Sequence, residues 1–410
     1  MTADHSHDAG RRVDAAGDLP DEAYAVALLQ LPELWPSRLA WLLGRTRRVE
    51  DKLFDLDPPL RTARATWNAV LDRRLPGRAT SVKVMRIAAR WPGAAATVDV
   101  ATLWARYIAA GVEVDIIGDA GYPPELAADR EAPVVVFRTG AAPDLSGRRV
   151  AIVGTRHPSA EGRDIAHELG RDLAAAGVRV VSGLALGIDG AAHTGALAAG
   201  RGAPIGVVAG GLDAPYPARH RLLWADVAAT GVLVSEAPLG ARSEPWRFPA
   251  RNRIIAALAE IVVVVESKER GGSMITADLA VSRGTTVMAV PGSVRNPLSA
   301  GTNQLLSEGA GPVRNAHDVF DALALEIPPM PSPPPMHLDE TAAAVLAAVG
   351  WQPTPTDQIV AGTRLDPAVV AAALARLEME GLLAGSAGRW RRSGRLPTVA
   401  APRRYLSRLD

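Results

Sequence analysis

The stretch Arg149-Val150-Ala151-Ile152-Val153-Gly154-Thr155-Arg156 is a β-branched run that ends in glycine and a small polar residue, with helical spacing beyond it. A strand that stops at such a turn and feeds a helix is the repeating unit of a parallel sheet. The unit recurs as far as Phe320. Strands are expected over Val150 to Val153, Val178 to Val181, Ile205 to Ala209, Val232 to Ser235, Ile261 to Glu266, Thr285 to Val290 and Pro312 to Arg314, with helices in the intervals. Such alternation predicts an α/β doubly wound parallel sheet. Val112 to Ile117 and Pro133 to Phe137 already have strand character, and Tyr122-Pro123-Pro124 opens a short helix between them, so the sheet begins before Val150. In this architecture the turns after the strands line up along one carboxyl edge, where backbone N–H groups and helix N-termini point outward. Gly154-Thr155-Arg156 and Gly271-Gly272-Ser273 fall on that edge, and with the arginines of Arg251-Asn252-Arg253 they predict a place that holds phosphates.

Helical spacing runs from Asp21 to Tyr107, as in Ala23, Val26, Ala27 and Leu29 and again in Trp41, Leu42 and Leu43. A small helical domain is expected at 20–107. Its short helices resemble a SAM-like nucleic-acid-binding module, although helix packing for its own sake explains the same pattern. The sheet domain is expected at 110–325. Pro328 to Pro335 lies in a proline-rich tether at 326–337, extended and semi-rigid. Beyond it, Asp339 to Val349, Thr356 to Ala361 and Asp366 to Gly381 read as three helices and Leu382 to Trp390 as a hairpin, which makes a winged helix at 338–395. Residues 1–18, which include His5 and His7, read as a polar leader.

A chain of 410 residues is long enough for about two or three domains of roughly 150 residues. The absence of cysteine rules out disulfides, thiolate zinc sites and a cysteine nucleophile and suits a reducing cytoplasm. No apolar run approaches the roughly 20 residues of a membrane helix, so a soluble cytoplasmic protein without membrane insertion is expected. Net charge is only +1, and any nucleic-acid binding must come from a local patch. Only three lysines accompany forty-two arginines. Genome composition accounts for this bias as readily as the bidentate fit of arginine to phosphate.

What the phosphate edge could serve is narrowed by elimination. A nicotinamide site needs Gly-x-Gly-x-x-Gly after the first strand and an acidic residue at the end of the second. Here the turn reads Gly154-Thr155-Arg156-His157 and the second strand ends in Val181-Ser182. A Walker A loop needs Gly-Lys, and none of Lys52, Lys83 and Lys268 follows a glycine. Glu236 and Glu266 end strands, and Glu266-Ser267-Lys268 matches a short fragment of metal-dependent nucleases. His193 follows Gly187-Ile188-Asp189 on a helix and could act as a base, yet no serine lies in a nucleophile elbow. No catalytic residue, metal or cofactor is therefore assigned. The remaining reading is a binding groove. Arg156, Arg251, Arg253, Lys268 and Arg270 bring charge to the strand ends while Trp246 and Phe248 bring aromatic surface, the pairing that single-stranded nucleic acid requires. A core role under the following helix is open for Phe248 as well.

Taken together, Ala151-Ile152-Val153-Gly154-Thr155-Arg156, Ser182-Gly183-Leu184-Ala185-Leu186-Gly187-Ile188-Asp189 with His193, Tyr216-Pro217, Ser235-Glu236, Phe248-Pro249-Ala250-Arg251-Asn252-Arg253-Ile254-Ile255, Gly272-Ser273-Met274-Ile275-Thr276 and Pro291-Gly292 resemble, in order, the DNA-processing protein A family, also called Smf. The likeness covers roughly 112 to 325. It implies an extended Rossmann-like domain that binds single-stranded DNA, forms a homodimer and helps load a RecA-type recombinase in natural transformation or related recombination. A metal-dependent nuclease or nucleotide hydrolase on the same sheet is the alternative.

The family's DNA-binding positions fall on Gly154, Thr155 and Arg156, on Gly183, on Phe248, Arg251, Asn252 and Arg253, and on Lys268, Gly271, Gly272 and Ser273. Two departures stand out. Leu186 occupies the position where many relatives carry lysine, and Gly271 stands where serine is usual. Loss of one cationic contact bears on affinity more than on fold, because a multivalent phosphate site loses only a fraction of its energy with each contact. The third helix of the winged module, Asp366 to Glu380, is apolar and acidic with Arg376 alone, which favours protein contact or packing over base readout. Arg389, Arg391 and Arg392 on the wing remain able to hold phosphates.

Overall fold

The computed structural model describes residues 18–45, 54–55, 60–75, 78–325 and 338–393. The expected tether at 326–337, all of the expected leader at 1–18 except Asp18, and the last two residues of 338–395 lie outside the described residues. Two compact units are distinguished, with the division after Leu323.

In the first unit, short helices come first: α1 (Asp21–Leu28), α2 (Pro36–Leu42), α3 (Ala63–Leu71), α4 (Val82–Ala88), α5 (Trp91–Ala95) and α6 (Val100–Ala109), with a two-residue pairing of β1 (Phe54–Asp55) and β2 (Arg78–Ala79) among them. Caps fix several of their starts. Thr62 receives the Ala65 N–H, Ser81 that of Val84, and Asp99 those of Ala101 and Thr102. The sheet unit then runs β3 (Glu113–Ile116), α7 (Pro124–Ala127), β4 (Val135–Thr139), β5 (Arg149–Val153), α8 (Ala160–Ala175), β6 (Arg179–Ser182), α9 (Ile188–Ala198), β7 (Ile205–Val208), α10 (Arg221–Thr230), β8 (Val232–Ser235), α11 (Arg247–Leu258), β9 (Ile261–Val264), α12 (Gly272–Val281), β10 (Thr286–Ala289), α13 (Ala300–Ser307), β11 (Gly311–Pro312) and α14 (Ala316–Ala322).

These nine strands form one sheet in the order β11-β10-β9-β5-β6-β7-β8-β4-β3. From β11 to β8 all pairings are parallel, whereas β4 lies antiparallel to β8 and β3 antiparallel to β4. The Rossmann-like doubly wound sheet read from the sequence is present, with an antiparallel hairpin added at one edge. Strands such as β6 to β9 are buried along their whole length because helices cover both faces, hence sequences dominated by Val and Ile, unbroken in β9. Ala151, Val153, Val181 and Val207 pack with Ile254, Ile255 and Leu258 of α11 on one side. On the other side, Leu184, Val208, Trp224, Val227 and Leu233 belong to a core that continues through Val114, Ile116 and Phe137 into Ala25, Val26, Leu28 and Trp91. The amino-terminal helices thus share a core with the hairpin edge of the sheet.

The second unit contains α15 (Glu340–Ala348), β12 (Thr354–Pro355), α16 (Thr356–Thr363), α17 (Pro367–Met379), β13 (Leu383–Ser386) and β14 (Arg389–Arg392). Three helices pack around Leu346, Ile359, Val370, Leu374 and Leu377, and β14 pairs with both β13 and β12, a winged helix. Asp339 and Asp366 cap α15 and α17.

Candidate nucleic-acid interface

Strand order reverses at β5, which has β6 on one side and β9 on the other. Open α/β sheets hold ligands in the crevice that such a reversal creates beyond the carboxyl ends of the strands. Two glycine-bearing loops frame this crevice. A Cβ on Gly154 would collide with Ile188 and with the Glu266 carbonyl, so only glycine lets the loop after β5 close on the loop after β9. The Thr155 N–H donates to the Glu266 carbonyl at 2.7 Å, and the Thr155 carbonyl accepts from Ile188 N–H at 3.2 Å. Arg156 emerges from this braced turn into solvent. Its guanidinium carbon stands 4.7 Å from the centroid of Phe248, whose ring lies 5.5 Å from that of Tyr216. A cation over an aromatic face gains about 0.5–1 kcal/mol at an exposed site, enough to bias where the guanidinium waits.

Below this layer lies a buried pair of charges. Arg251 is 6% exposed, and its Nη1 donates to the Gly183 carbonyl at 2.7 Å and to the Val207 carbonyl. Asp189, 7% exposed, accepts the Gly183 N–H at 3.1 Å. Burial lowers the Arg251 guanidinium to about 10, against the pull of Asp189, so it stays charged at neutral pH. The same burial raises the Asp189 carboxyl, which Arg251 opposes. A cleft of about 420 Å³ opens over this pair, and its lining includes Gly154, Arg156, Phe248, Arg251, Asn252, Gly272 and Ser273.

Seven of the twelve residues singled out in the sequence therefore meet in one cleft, and Gly183 lines the adjoining recess. The other four are placed elsewhere. Arg253 turns to the far side of α11, where it pairs with Glu236 and donates to the Glu131 carbonyl at 2.7 Å. Thr155 spends its backbone on the loop brace, Gly271 is the N-cap of α12, and Lys268 stands exposed on the turn whose carbonyl accepts the Gly271 N–H at 2.9 Å. Ser273 faces inward, its hydroxyl 2.9 Å from that of Ser267. Tyr216, Ser243, Ile275 and Thr276 also line the cleft and were not singled out as binding residues. The Tyr216-Pro217 pair could have been weighed as a site; nothing in the local sequence marks Ser243.

Residues that suggested catalysis are occupied otherwise. Both oxygens of Glu266 are engaged by Ser159, one by its N–H at 2.8 Å and the other by its hydroxyl at 2.6 Å, while Ser159 itself caps α8. Glu266 thus serves as the anchor of a helix start. His193 is fully buried, and burial holds its imidazole down at about 4, which leaves it neutral and unreachable. Among the described residues no group of three His, Asp or Glu side chains is placed to hold a metal ion.

Fold and cleft together define a Rossmann-like protein with a winged helix and a cationic, aromatic cleft at its strand ends. The model of DNA recombination-mediator protein A matches residues 113–324, and that of the DprA winged helix domain matches 328–389. The chain belongs to the DNA recombination-mediator protein A family, as the ordered motifs indicated. It is 41% identical over 208 residues to DNA processing protein DprA of Bacillus subtilis, covering 50% of this chain and 70% of that one. It is also 41% identical over 268 residues to the putative DNA processing protein DprA of Mycobacterium tuberculosis, at 63% and 69% coverage. The crystal structure of DprA from Streptococcus pneumoniae superposes with a TM-score of 0.58 at 30% identity, covering 75% of this chain and 99% of that chain.

Proposed function

We propose that this protein is a single-stranded DNA-binding recombination mediator that helps load a RecA-type recombinase, in natural transformation or related DNA processing, and that it has no hydrolytic activity of its own. The observation that carries this reading is the cleft at the strand-order reversal, where Arg156 rests on Phe248 beside the half-exposed ring of Tyr216. Arg156 meets the backbone phosphate, and Tyr216 offers a face to an unstacked base. Duplex DNA keeps its base faces inside and gains only the phosphate contact. Arg251 acts from below: its buried charge adds to the potential of the cleft while its hydrogen bonds fix the loop after β6. Membership of a family of DNA recombination mediators supports the same conclusion, as does the engagement of Glu266 by Ser159, which leaves a nuclease without its carboxylate. The protein works on DNA in the cytoplasm as a homodimer.

Assembly of recombinase filaments on single strands precoated with single-strand-binding protein tests the proposal. Filaments should form faster with this chain than without it, and Arg156→Ala should remove the gain. Equal affinity for single and double strands, or turnover of DNA or nucleotide with magnesium or manganese, would reject it.

A further inference from the structure

We infer that a bound single strand continues from the cleft across the start of α11 onto a second aromatic platform, built jointly by Trp246 and by Trp35 of the amino-terminal helices. This rests on the single-strand reading above. Trp246 is the N-cap of α11 and Trp35 the N-cap of α2, and their ring centroids are 5.4 Å apart at an interplanar angle of 71°. Both indoles are substantially exposed, Trp246 by 47% and Trp35 by 39%. Isolated exposed aromatics are ordinary, but two in contact that also share one cation are not.

That cation is Arg247. Its guanidinium carbon is 4.5 Å from the Trp246 centroid and 5.9 Å from that of Trp35. Its Nε is buried with no hydrogen-bond partner among the described residues. A guanidinium beside half-exposed indole rings is the combination that takes up a nucleotide, with phosphate on the cation and base on the open part of a ring. The indole N–H of Trp246 is held by Glu244, which fixes the ring without covering both faces.

Continuity with the cleft identifies the occupant. Pro245 and Phe248 line the cleft, and Trp246 and Arg247 lie between them in sequence. Side chains two residues apart on a helix point to nearly opposite sides, so Phe248 and Trp246 flank the start of α11 with aromatic surface on both sides. The first turn of α11 carries no acidic residue. A strand lying in the cleft thus has a path over the helix start, about one helix diameter of 10–12 Å wide, to the second platform.

Anisotropy of the full chain on labelled oligothymidylates of about 3 and about 20 nucleotides tests this, since these lengths bracket the site sizes of about 4–16 nucleotides typical of single-strand binders. Stacking of one base corresponds to about a fivefold or larger change in affinity. Trp246→Ala and Trp35→Ala should each weaken the longer strand by about that factor and leave the shorter one within about twofold. Trp246→Phe, which keeps a ring without disturbing the fold, should retain most of the affinity, and tryptophan emission of the wild type should be quenched by the longer strand alone. Unchanged binding of both lengths in both alanine variants would overturn the inference and point to another protein, or a second copy, as the occupant. An equal loss on both lengths would overturn it too. If the wild type bound neither length, the single-strand reading itself would fall.

Discussion

The guanidinium of Arg251 lies against the Cα of Gly183, its Nη1 2.7 Å from that residue's carbonyl oxygen, so position 183 has no room for a side chain. Arg251 and Gly183 come from elements 68 residues apart in sequence, yet each explains the other. Gly183→Ala should cost about 1–3 kcal/mol through overpacking against a buried charge, and single-strand affinity should fall with it. Arg251→Ala should cost more, about 3–5 kcal/mol, because Asp189 would be left buried without its counter-charge. Denaturant melts measure both, and a stable Arg251→Ala protein would mean that the arginine serves binding alone.

Arg156 offers the contrast. It is exposed, and among the described residues no hydrogen bond ties its side chain to the fold, only the contact with Phe248. Arg156→Ala should leave stability within about 0.5 kcal/mol and reduce affinity for all single-strand sequences alike. The logarithmic salt slope should shrink by about 0.7, the share of one phosphate contact on a single strand. A titration of binding against salt concentration checks both numbers.

How much of this was legible beforehand differs from residue to residue. The parallel sheet was, because strands buried on both faces are near-continuous apolar runs rich in Val and Ile, and glycine is required where two loops meet, as at Gly154. Strand order was not, since pairing of β5 with β9 joins segments more than a hundred residues apart. Among the arginines, sequence could not tell Arg156, in solvent, from Arg251, in the interior, or from Arg253, which pairs with Glu236 across the helix. All three follow the same chemistry in isolation. The turn of α11 separates Arg251 from Arg253, and the loop after β5 places Arg156. Trp35 was out of reach for another reason: its partner Trp246 lies 211 positions further along the chain.

Glu266→Gln tests the alternative chemistry on the sheet. Its carboxylate holds both the N–H and the hydroxyl of Ser159, so the change should weaken the start of α8 by about 1–2 kcal/mol, the usual range for a lost helix cap. DNA affinity should follow only as far as the loop after β5 loosens. Any metal-dependent cleavage of DNA by the wild type that disappears in this variant would return Glu266 to catalysis.

Acid should destabilise the fold through His193. Burial holds its folded value near 4 against an ordinary 6.5. Between those values the unfolded chain binds the proton and the folded chain does not, so stability falls as pH drops from about 6.5 to about 4 and is flat for this group above 6.5. At roughly 1.4 kcal/mol per unit the loss is on the order of 3 kcal/mol. A His193→Asn variant should lose this part of the acid limb, and a pH series of melts that keeps the full slope in the variant would show that His193 does not carry it.

Removal of the winged helix should leave single-strand binding nearly unchanged. The cleft residues all lie between Val153 and Thr276 in the first unit, and several arginines of the second unit are committed to their own fold. Arg376, the one cation of α17, is bound by Asp339 at 2.6 Å and by Glu380 at 2.9 Å. Arg392 holds the carbonyls of Val349 and Leu346 at the end of α15, at 2.8 and 3.0 Å. Arg391 is itself engaged, donating to the Arg392 carbonyl at 3.3 Å, so among the described residues the exposed Arg364 and Arg389 are the ones placed to reach a phosphate. A chain ending at residue 325 should therefore bind single strands within about threefold of the full protein, with a salt slope lower by no more than about 0.7–1.4, the share of one or two contacts. Anisotropy of both chains over a salt series decides it: a tenfold loss of affinity with a still larger fall in slope would show that the winged helix grips DNA with more than these two arginines.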